Sequence, residues 1–301
     1  MEPVIHTHDL TRYYGSTVGV EGLTLEIQPG EIFGFLGPNG AGKTTTIRLL
    51  LDLIRPTRGE SFLFGCPSSD PLIRSRIGYL PGELSLDGRM TGGQTLTFLA
   101  ALRGDRSDTG AVRATLCQRL GLNDGDLKRK VREYSRGMKQ KLGLVSALQH
   151  RPRLLILDEP TTGLDPLVRE VVFQLMAEVR DQGVTVFHSS HVLSEVDRTC
   201  DRVGVLREGR LVSLMTMDEA RRSSSRHMVV VFKGAPPLEE LQSIGADVET
   251  TDGSRVVVRV TGELGPLLSL LAENPVEHFS FPEPNLEEAF TTFYSDGQGD
   301  E

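Results

Sequence analysis

Nine consecutive residues have the composition of a loop that binds nucleotide phosphates. They follow the pattern G-x-x-x-x-G-K-[ST], in which glycines let the backbone wrap closely, so that its N–H groups surround phosphate oxygens. In this pattern the lysine reaches the β- and γ-phosphates, and the hydroxyl after it ligates Mg²⁺. Those roles fall to Lys43 and Thr44. The predicted phosphate-binding residues are Gly37, Pro38, Asn39, Gly40, Ala41, Gly42, Lys43, Thr44 and Thr45.

The residues on either side of this loop have the patterns of a strand and a helix. Residues 32–36, Ile-Phe-Gly-Phe-Leu, form a short apolar run that is typical of a buried strand. After the loop, apolar residues at 47, 50, 51 and 54 recur at helical spacing, and Pro56 is expected to end the helix. The motif therefore has the strand–loop–helix context that phosphate binding requires, and the helix N-terminus adds partial positive charge.

A second apolar run ends in two carboxylates. Residues 154–157, Leu-Leu-Ile-Leu, predict a strand that leads directly into Asp158 and Glu159. In phosphate-loop ATPases the first such carboxylate holds Mg²⁺ through its water shell. The second can orient and polarise an attacking water molecule. We therefore predict ATP and Mg²⁺ as ligands, Thr44 and Asp158 as metal ligands, and Glu159 and Lys43 as catalytic residues.

A third segment carries a resemblance to a known family. Residues 134–141 read Tyr-Ser-Arg-Gly-Met-Lys-Gln-Lys and begin a predicted helix over 135–149. They are similar to the Leu-Ser-Gly-Gly-Gln signature of the nucleotide-binding subunits of ATP-binding cassette (ABC) transporters. The resemblance implies that Ser135 and Gly137 bind the γ-phosphate of ATP held by a partner subunit. Tyr134 and Arg136 depart from the signature, and Arg136 could either hinder phosphate approach or add a cation beside it.

Three further positions extend the resemblance. Asp165, in the segment Thr-Gly-Leu-Asp-Pro at 162–166, matches the family's D-loop, which crosses the seam between two subunits. His191 follows two serines and matches the switch histidine, which implies that it is a catalytic residue with contacts to the γ-phosphate and Glu159. Its neighbour His188 is interpreted as a packing or surface residue. Tyr14 matches the aromatic residue that stacks on adenine, and simple strand packing remains the alternative.

One element of the family pattern is missing. The family usually has a glutamine after the strand that ends in Gly-Tyr-Leu-Pro at 78–81, and this chain has Gly82 and then Glu83. That glutamine normally senses Mg²⁺ and couples the nucleotide state to the membrane subunit. Glu83 could substitute through an oxygen, or the coupling contact could be rewired.

Strand and helix patterns alternate after a mainly helical stretch, and the chain is long enough for about two domains at 301 residues. We predict an α/β phosphate-loop ATPase core with a mostly parallel sheet, an antiparallel N-terminal β-subdomain and a helical insertion. The expected nucleotide-binding domain spans 1–222, with its helical subdomain at about 83–150. A small α+β domain should follow at 226–294, and 295–301 is an acidic tail.

The tail of the chain predicts strands and helices in the order β-α-β-β-α-β, with one more helix over 286–293. This order is that of a ferredoxin-like sandwich. The phrase Glu-Pro-Asn-Leu-Glu-Glu-Ala-Phe at 283–290 resembles the C-terminal extension of bacterial exporter subunits that pair with ABC-2 type permeases, including drug and antibiotic efflux systems.

Composition limits the partners of the chain. The net charge of −8 disfavours binding to a nucleic-acid backbone. No apolar run approaches the roughly 20 residues of a membrane span, and the N-terminus lacks a signal-peptide pattern, so we expect a separate chain to cross the membrane. Three widely spaced cysteines suggest neither a disulfide framework nor a zinc site.

The resemblance implies an ATP-hydrolysing subunit of an exporter that forms a homodimer and lies peripherally at the cytoplasmic face of the membrane, bound to an ABC-2 type permease. Two other functions stay open. One is a soluble ABC ATPase that acts on DNA or ribosomes, against which the absence of a heptad insertion, of zinc-spaced cysteines and of a second cassette argues. The other is a degraded, regulatory cassette, which Arg136 and Gly82 favour and which Glu159 and His191 disfavour.

Overall fold

The computed structural model describes residues 2–102, 110–223, 226–260 and 264–281. The chain divides into two compact units, Met1–Thr216 and Met217–Glu301. The strands described in the first unit are β1 (Ile5–Tyr14), β2 (Thr17–Ile27), β3 (Ile32–Leu36), β4 (Arg58–Leu63), β5 (Cys66–Pro67), β6 (Ile77–Leu80), β7 (Leu154–Asp158), β8 (Thr185–Ser190), β9 (Arg202–Arg207) and β10 (Arg210–Thr216).

The strands of the first unit form two sheets. One sheet has the order β10-β9-β3-β8-β7-β6, in which the strands from β9 to β6 are parallel and β10 is antiparallel to β9. The other has the order β2-β1-β4-β5 and is antiparallel. The predicted mostly parallel core and the antiparallel N-terminal subdomain are therefore confirmed. The edge strand β10 was not predicted, because Ser213 divides its apolar residues into two short pairs and no long apolar run is left.

The helices described in the first unit are α1 (Lys43–Leu50), α2 (Gly92–Leu102), α3 (Gly110–Arg119), α4 (Asp124–Lys128), α5 (Arg136–Leu148), α6 (Pro166–Asp181) and α7 (Leu193–Thr199). Short 3₁₀ turns lie at Pro71–Arg76 and Val131–Glu133. The four helices from α2 to α5 form the predicted helical insertion. No helix in the described ranges combines the length and apolarity needed to cross a bilayer.

Helix α1 is shorter than its apolar spacing predicted. It ends at Leu50, although the stripe of apolar residues continues to Ile54. The chain turns at Asp52, whose φ of +53° is left-handed, and the N–H of Leu53 donates to the carbonyl of Arg48 at 2.8 Å. This is the hydrogen-bond pattern of a helix C-terminus capped by a left-handed residue. The prediction that the helix continues towards Pro56 was therefore wrong.

The centre of the parallel sheet is fully buried and contains a histidine. Strands β3, β7 and β8 are buried at every position, and Phe33 stacks on Phe187 with ring centroids 5.8 Å apart. Next to this pair His188 is 1% exposed, and its Nε2 lies 3.1 Å from Thr199 Oγ1 and 3.0 Å from Cys200 Sγ. Burial disfavours the charged imidazole and lowers the pKa of His188 to about 4. His188 is thus a packing residue of the core.

We expect this histidine to make the first unit sensitive to acid. In the unfolded chain the imidazole takes up a proton near pH 6.5, whereas in the folded chain it does so only near pH 4. The unfolded state binds more protons between these values, so the free energy of unfolding should fall by about 2 kcal/mol from pH 7 to pH 5. Urea unfolding at both pH values should show that the free energy of unfolding falls less for His188→Asn than for the wild-type chain. Replacement of the exposed His8 is the control, and equal falls in both variants would contradict the prediction.

The second unit is described by itself. Its elements are α8 (Met217–Ser223), β11 (Arg226–Phe232), α9 (Leu238–Ser243), β12 (Asp247–Asp252), β13 (Arg255–Val260), α10 (Gly265–Glu273) and β14 (Val276–Ser280). Strands β11 to β14 form an antiparallel sheet in the order β12-β13-β11-β14. From β11 onward this is the predicted ferredoxin-like order of elements. The predicted helix over 286–293, the phrase at 283–290 and the acidic tail at 295–301 lie outside the described residues.

Candidate nucleotide-binding and hydrolysis site

Three neighbouring parallel strands bring the predicted residues together. Strands β3, β8 and β7 are adjacent, and the carboxyl ends of parallel strands meet at one edge of a sheet. The glycine-rich loop follows β3, Asp158 is the last residue of β7, and His191 comes directly after β8. Residues that are more than a hundred positions apart in the sequence therefore lie at one edge.

The glycine-rich loop encloses its lysine. Gly42, with a left-handed φ of +106°, turns the chain into α1, and Lys43 is 5% exposed. The Nζ of Lys43 donates to the carbonyl oxygens of Gly37 at 2.6 Å and Pro38 at 3.0 Å. Burial lowers the pKa of Lys43, and the negative charges of Glu159 and Asp158 oppose that shift. The loop thus holds a cation whose desolvation an incoming phosphate would compensate.

Hard oxygen ligands lie beside this lysine. The Thr44 hydroxyl donates to Asp158 Oδ2 at 2.8 Å, and the Ser189 hydroxyl donates to Asp158 Oδ1 at 2.6 Å. Burial and the charge of Asp158 raise the pKa of the nearby Tyr79 hydroxyl to about 12. Mg²⁺ usually takes one or two protein oxygens and completes its shell with phosphates and water. The pair of Thr44 and Asp158 oxygens fits that requirement.

The Glu159 carboxylate is held on both of its oxygens. His191 Nδ1 lies 3.1 Å from Glu159 Oε1, and Lys43 Nζ lies 3.7 Å from the same oxygen. The hydroxyl of Thr162 donates to Glu159 Oε2 at 3.2 Å. The side chain remains 24% exposed, so water can reach it. A fixed, partly exposed carboxylate beside a cation and an imidazole is suited to accept a proton from water.

Tyr14 lies close to the glycine-rich loop across one glycine. A Cβ placed on Gly19 would stand 2.8 Å from Tyr14 Cε2 and 3.1 Å from Thr45 Cγ2, so the ring approaches the loop because Gly19 has no side chain. The ring is 43% exposed, and the Arg12 guanidinium lies 4.9 Å from its centroid. The ring of Tyr14 is thus partly exposed with a cation over one face, whereas the hydroxyl of Tyr13 is engaged with Glu21 at 2.6 Å.

The three residues assigned to the subunit seam do not join this cluster. Ser135 caps α5 by accepting from the N–H of Met138 at 3.2 Å, and Asp165 caps α6 by accepting from the N–H of Val168 at 3.0 Å. A Cβ on Gly137 would lie 2.8 Å from the carbonyl oxygen of Gly163, so α5 begins against the loop that follows Glu159. Within the described residues, no hydrogen bond links Ser135, Gly137 or Asp165 to the glycine-rich loop.

Two of the departures from the family pattern, Arg136 and Gly82, have distinct surroundings. The aliphatic part of Arg136 packs on Gly163, where an added Cβ would meet Arg136 Cδ at 3.4 Å. Gly82 lies against the Asp158 carboxylate, because a Cβ there would stand 3.2 Å from Asp158 Oδ2. Glu83 is exposed and forms no ion pair with another described residue. Gly82 thus occupies the neighbourhood in which the missing glutamine would be expected.

Several residues of the site were not identified from the sequence. Ser189 links the two carboxylate residues, since its hydroxyl donates to Asp158 and accepts from the N–H of Glu159 at 3.1 Å. Thr162 binds the Glu159 side chain, and Gln140 donates to the Glu159 backbone. The one available signal was a pair of serines that directly follows an apolar strand, because hydroxyls at a strand end can face a neighbouring carboxylate.

Comparisons with known proteins agree with this geometry. The model of the "ABC transporter" family matches residues 20–162. The chain is 34% identical to the bacitracin transport ATP-binding protein BcrA of Bacillus licheniformis over 99% of both chains. It is 36% identical to BcrA of Enterococcus faecalis over 99% of this chain and 98% of that protein. Identity to the daunorubicin/doxorubicin resistance ATP-binding protein DrrA of Streptomyces peucetius is 37%, over 73% and 72% of the two chains.

Solved structures lead to the same assignment. The structure of an ATP-binding subunit of an ABC transporter superposes with a TM-score of 0.68 at 31% identity, covering 73% of this chain and 92% of that one. A bacterial ABC transporter cassette solved as a dimer gives a TM-score of 0.65 at 22% identity, over 71% and 98% of the chains, which supports the fold. The chain belongs to the ATP-binding subunits of ABC transporters, and it is an ATPase of the exporter type.

Proposed function

We propose that two copies of this chain close head to tail around two molecules of ATP with Mg²⁺. The main support is that one copy gathers the hydrolytic residues at the sheet edge, while Ser135 and Gly137 lie apart from them at the start of α5. A helix N-terminus attracts anions and suits a phosphate supplied by another copy. Each composite site would take Lys43, Thr44, Asp158, Glu159 and His191 from one copy and Ser135, Gly137 and Asp165 from the other.

Hydrolysis at this site would proceed by in-line attack of water on the γ-phosphorus. The bond to the β–γ bridging oxygen breaks, ADP leaves, and the proton of the water passes to the Glu159 carboxylate. Lys43 would neutralise the transferred phosphoryl group, and His191 would hold Glu159 Oε1 at the observed 3.1 Å. Bound Mg²⁺, held by Thr44 and Asp158, would supply charge neutralisation of the phosphates.

We further propose that the pair works at the cytoplasmic face of a membrane with an ABC-2 type permease. The names of the relatives, which refer to bacitracin transport and to daunorubicin and doxorubicin resistance, support export of an antibiotic-like compound. The helical insertion at 83–150 would dock on the permease, and the exposed Phe98 and Leu102 on α2 support this. In this proposal residues 1–222 are the nucleotide-binding domain and residues 226–294 are an accessory domain.

Stacking of adenine on Tyr14 leads to a separate prediction. We expect Tyr14→Ala to raise the KM for ATP by about tenfold, because a base stacked on an aromatic ring contributes about 1–3 kcal/mol. Tyr14→Phe should retain the wild-type KM, since the ring alone is needed. Tyr13→Phe is the matched control. ATPase assays over a range of ATP concentrations test this, and an unchanged KM in Tyr14→Ala would leave strand packing as the role of the ring.

The proposed assembly can be tested by capture of the partner. Glu159→Gln should bind ATP and hold the closed pair, so we would purify the tagged variant from detergent-solubilised membranes with ATP and identify its partners by mass spectrometry. A stoichiometric protein with several membrane spans is the expected result. The control is the Lys43→Met variant, which should bind ATP too weakly to hold the pair closed. Recovery of ribosomes, of DNA-bound proteins or of the chain alone would contradict the proposal.

A further inference from the structure

The backbone at Glu159 has an unfavourable conformation. Its φ of +49° is left-handed, which costs a residue with a side chain about 1 kcal/mol or more. Such a conformation persists only where the surroundings hold it in place. The N–H of Glu159 donates to Ser189 Oγ at 3.1 Å, and its carbonyl accepts from the N–H of Thr162 at 3.2 Å. The direction in which the Glu159 carboxylate projects depends on this held backbone.

A buried amide completes the restraint. Gln140 is 5% exposed, and its Nε2 donates to the carbonyl oxygens of Pro160 at 3.0 Å and Glu159 at 3.3 Å. An amide nitrogen has two N–H donors, so both can be used on two consecutive carbonyls. These bonds fix the 159–160 segment in addition to the hydrogen bond from Glu159 N–H to Ser189. Gln140 therefore acts on the catalytic residue through its backbone.

Gln140 belongs to the helix that begins at Ser135. It lies in the second turn of α5, about 6 Å along the axis from Arg136 at a rise of about 1.5 Å per residue. A helix of this length moves as a rigid element, so a displacement at its first turn reaches Gln140. The first turn also lies against Gly163, which belongs to the loop that follows Glu159.

We propose that Gln140 is a positioning residue that links the start of α5 to the orientation of Glu159. This proposal rests on the proposed function, in which Ser135 and Gly137 contact ATP bound to the other copy. Engagement of that ATP sets the position of α5, and the two Gln140 hydrogen bonds pass this position to the 159–160 backbone. Each copy would then align its own base for hydrolysis according to the nucleotide that its partner holds.

The same helix provides a matched control. Gln149 follows α5, is 1% exposed, and donates from Nε2 to the carbonyl oxygen of Leu96 at 3.2 Å. Its Oε1 accepts from Arg113 at 2.9 Å. Gln149 thus shares with Gln140 its residue type and its burial, and it caps the C-terminus of the same helix, but its side chain bonds to α2 and α3 and not to Glu159. A general effect of removing a buried amide should appear at both positions.

The test is steady-state ATPase kinetics of the full chain with its partner permease or as the isolated subunit. Gln140→Met should lower kcat by about tenfold or more with the KM for ATP within about twofold, because misplacement of a catalytic group costs turnover and not ground-state binding. Gln149→Met should keep kcat within about twofold. The double variant Ser135→Ala with Gln140→Met should be no slower than the slower single variant, since both act through one path.

Three outcomes would overturn the proposal. They are a kcat for Gln140→Met within twofold of wild type, an equal loss of kcat in Gln149→Met, or fully multiplicative effects of Ser135→Ala and Gln140→Met. If Gln140→Met does not fold, Gln140→Asn, whose amide is one methylene short, replaces it. A second measurement tests the proposed function separately. The variant that carries only Glu159→Gln should dimerise when ATP is added. If it does not, the composite site itself is refuted, whatever the role of Gln140.

Discussion

Glu159→Gln should reduce ATP turnover by about a thousandfold while the protein still binds ATP. A positioned base contributes about a hundredfold to ten-thousandfold, and the neutral amide cannot accept the proton from water. The amide is nearly the same size as the carboxylate, and it keeps an oxygen that can accept from Thr162, which donates to the carboxylate at 3.2 Å. We therefore expect ATP to remain bound and the two copies to stay closed. Single-turnover hydrolysis measures the loss of turnover, and the mass of the ATP-bound species shows whether two copies stay together.

The control for this variant is Glu60→Gln, because Glu60 is an exposed glutamate on a different sheet. It should hydrolyse ATP at the wild-type rate and dissociate after turnover. Residual hydrolysis by Glu159→Gln within tenfold of wild type would assign the base to another group. If Glu159→Gln hydrolyses ATP slowly but never dimerises with ATP, the role of Glu159 as base stands and the proposed closure of two copies is contradicted.

Lys43→Met should abolish turnover without destabilising the fold. Loss of a hydrogen-bonded charge on phosphate removes about 1.5–3 kcal/mol of binding, which weakens ATP affinity by about tenfold to a hundredfold, and the loss grows as the transition state develops charge. Burial lowers the pKa of Lys43, which means that the folded protein carries this charge at a cost. Removing it should therefore leave the thermal midpoint unchanged within about 3 °C.

Nucleotide binding and thermal unfolding are measured on the same preparation of Lys43→Met. The control is Lys130→Met at an exposed position, which should change neither the ATP affinity nor the thermal midpoint. Lys43→Arg is also expected to fail, because the guanidinium is too broad for a position that is 5% exposed and bonded to two carbonyls of its own loop. Wild-type ATP affinity in Lys43→Met would refute the role given to this lysine.

The sequence alone predicted most of the elements and the principal chemistry. The glycine-rich loop, the carboxylates after β7 and the histidine after β8 could be found because each follows an apolar run, and hydrophobic periodicity is a local property. The ferredoxin-like order of the second unit was predicted for the same reason. The end of α1 could not be predicted, since the left-handed turn at Asp52 overrides an apolar stripe that continues beyond it.

Supporting contacts were beyond the reach of the sequence. Ser189, Thr162 and Gln140 have common residue types in unremarkable local patterns, and their roles exist only through partners at other positions. Gly19 is a similar case, because its lack of a side chain matters only where the ring of Tyr14 meets Thr45. Side-chain hydrogen bonds between distant segments have no periodic signature, so the strand order must be known before they can be found.

By itself the sequence determined which side chains have the chemistry to be proposed as ligands of phosphate and Mg²⁺ and as the base, because residue type and spacing are local properties. The tertiary structure decided which of them act together. Parallel pairing of β3, β8 and β7 places Lys43, Asp158 and Glu159 at one edge, while Ser135 is left at the start of a separate helix. The left-handed backbone at Glu159 and its hold by Gln140 likewise arise only when α5 packs against that edge, since both depend on hydrogen bonds between segments distant in sequence.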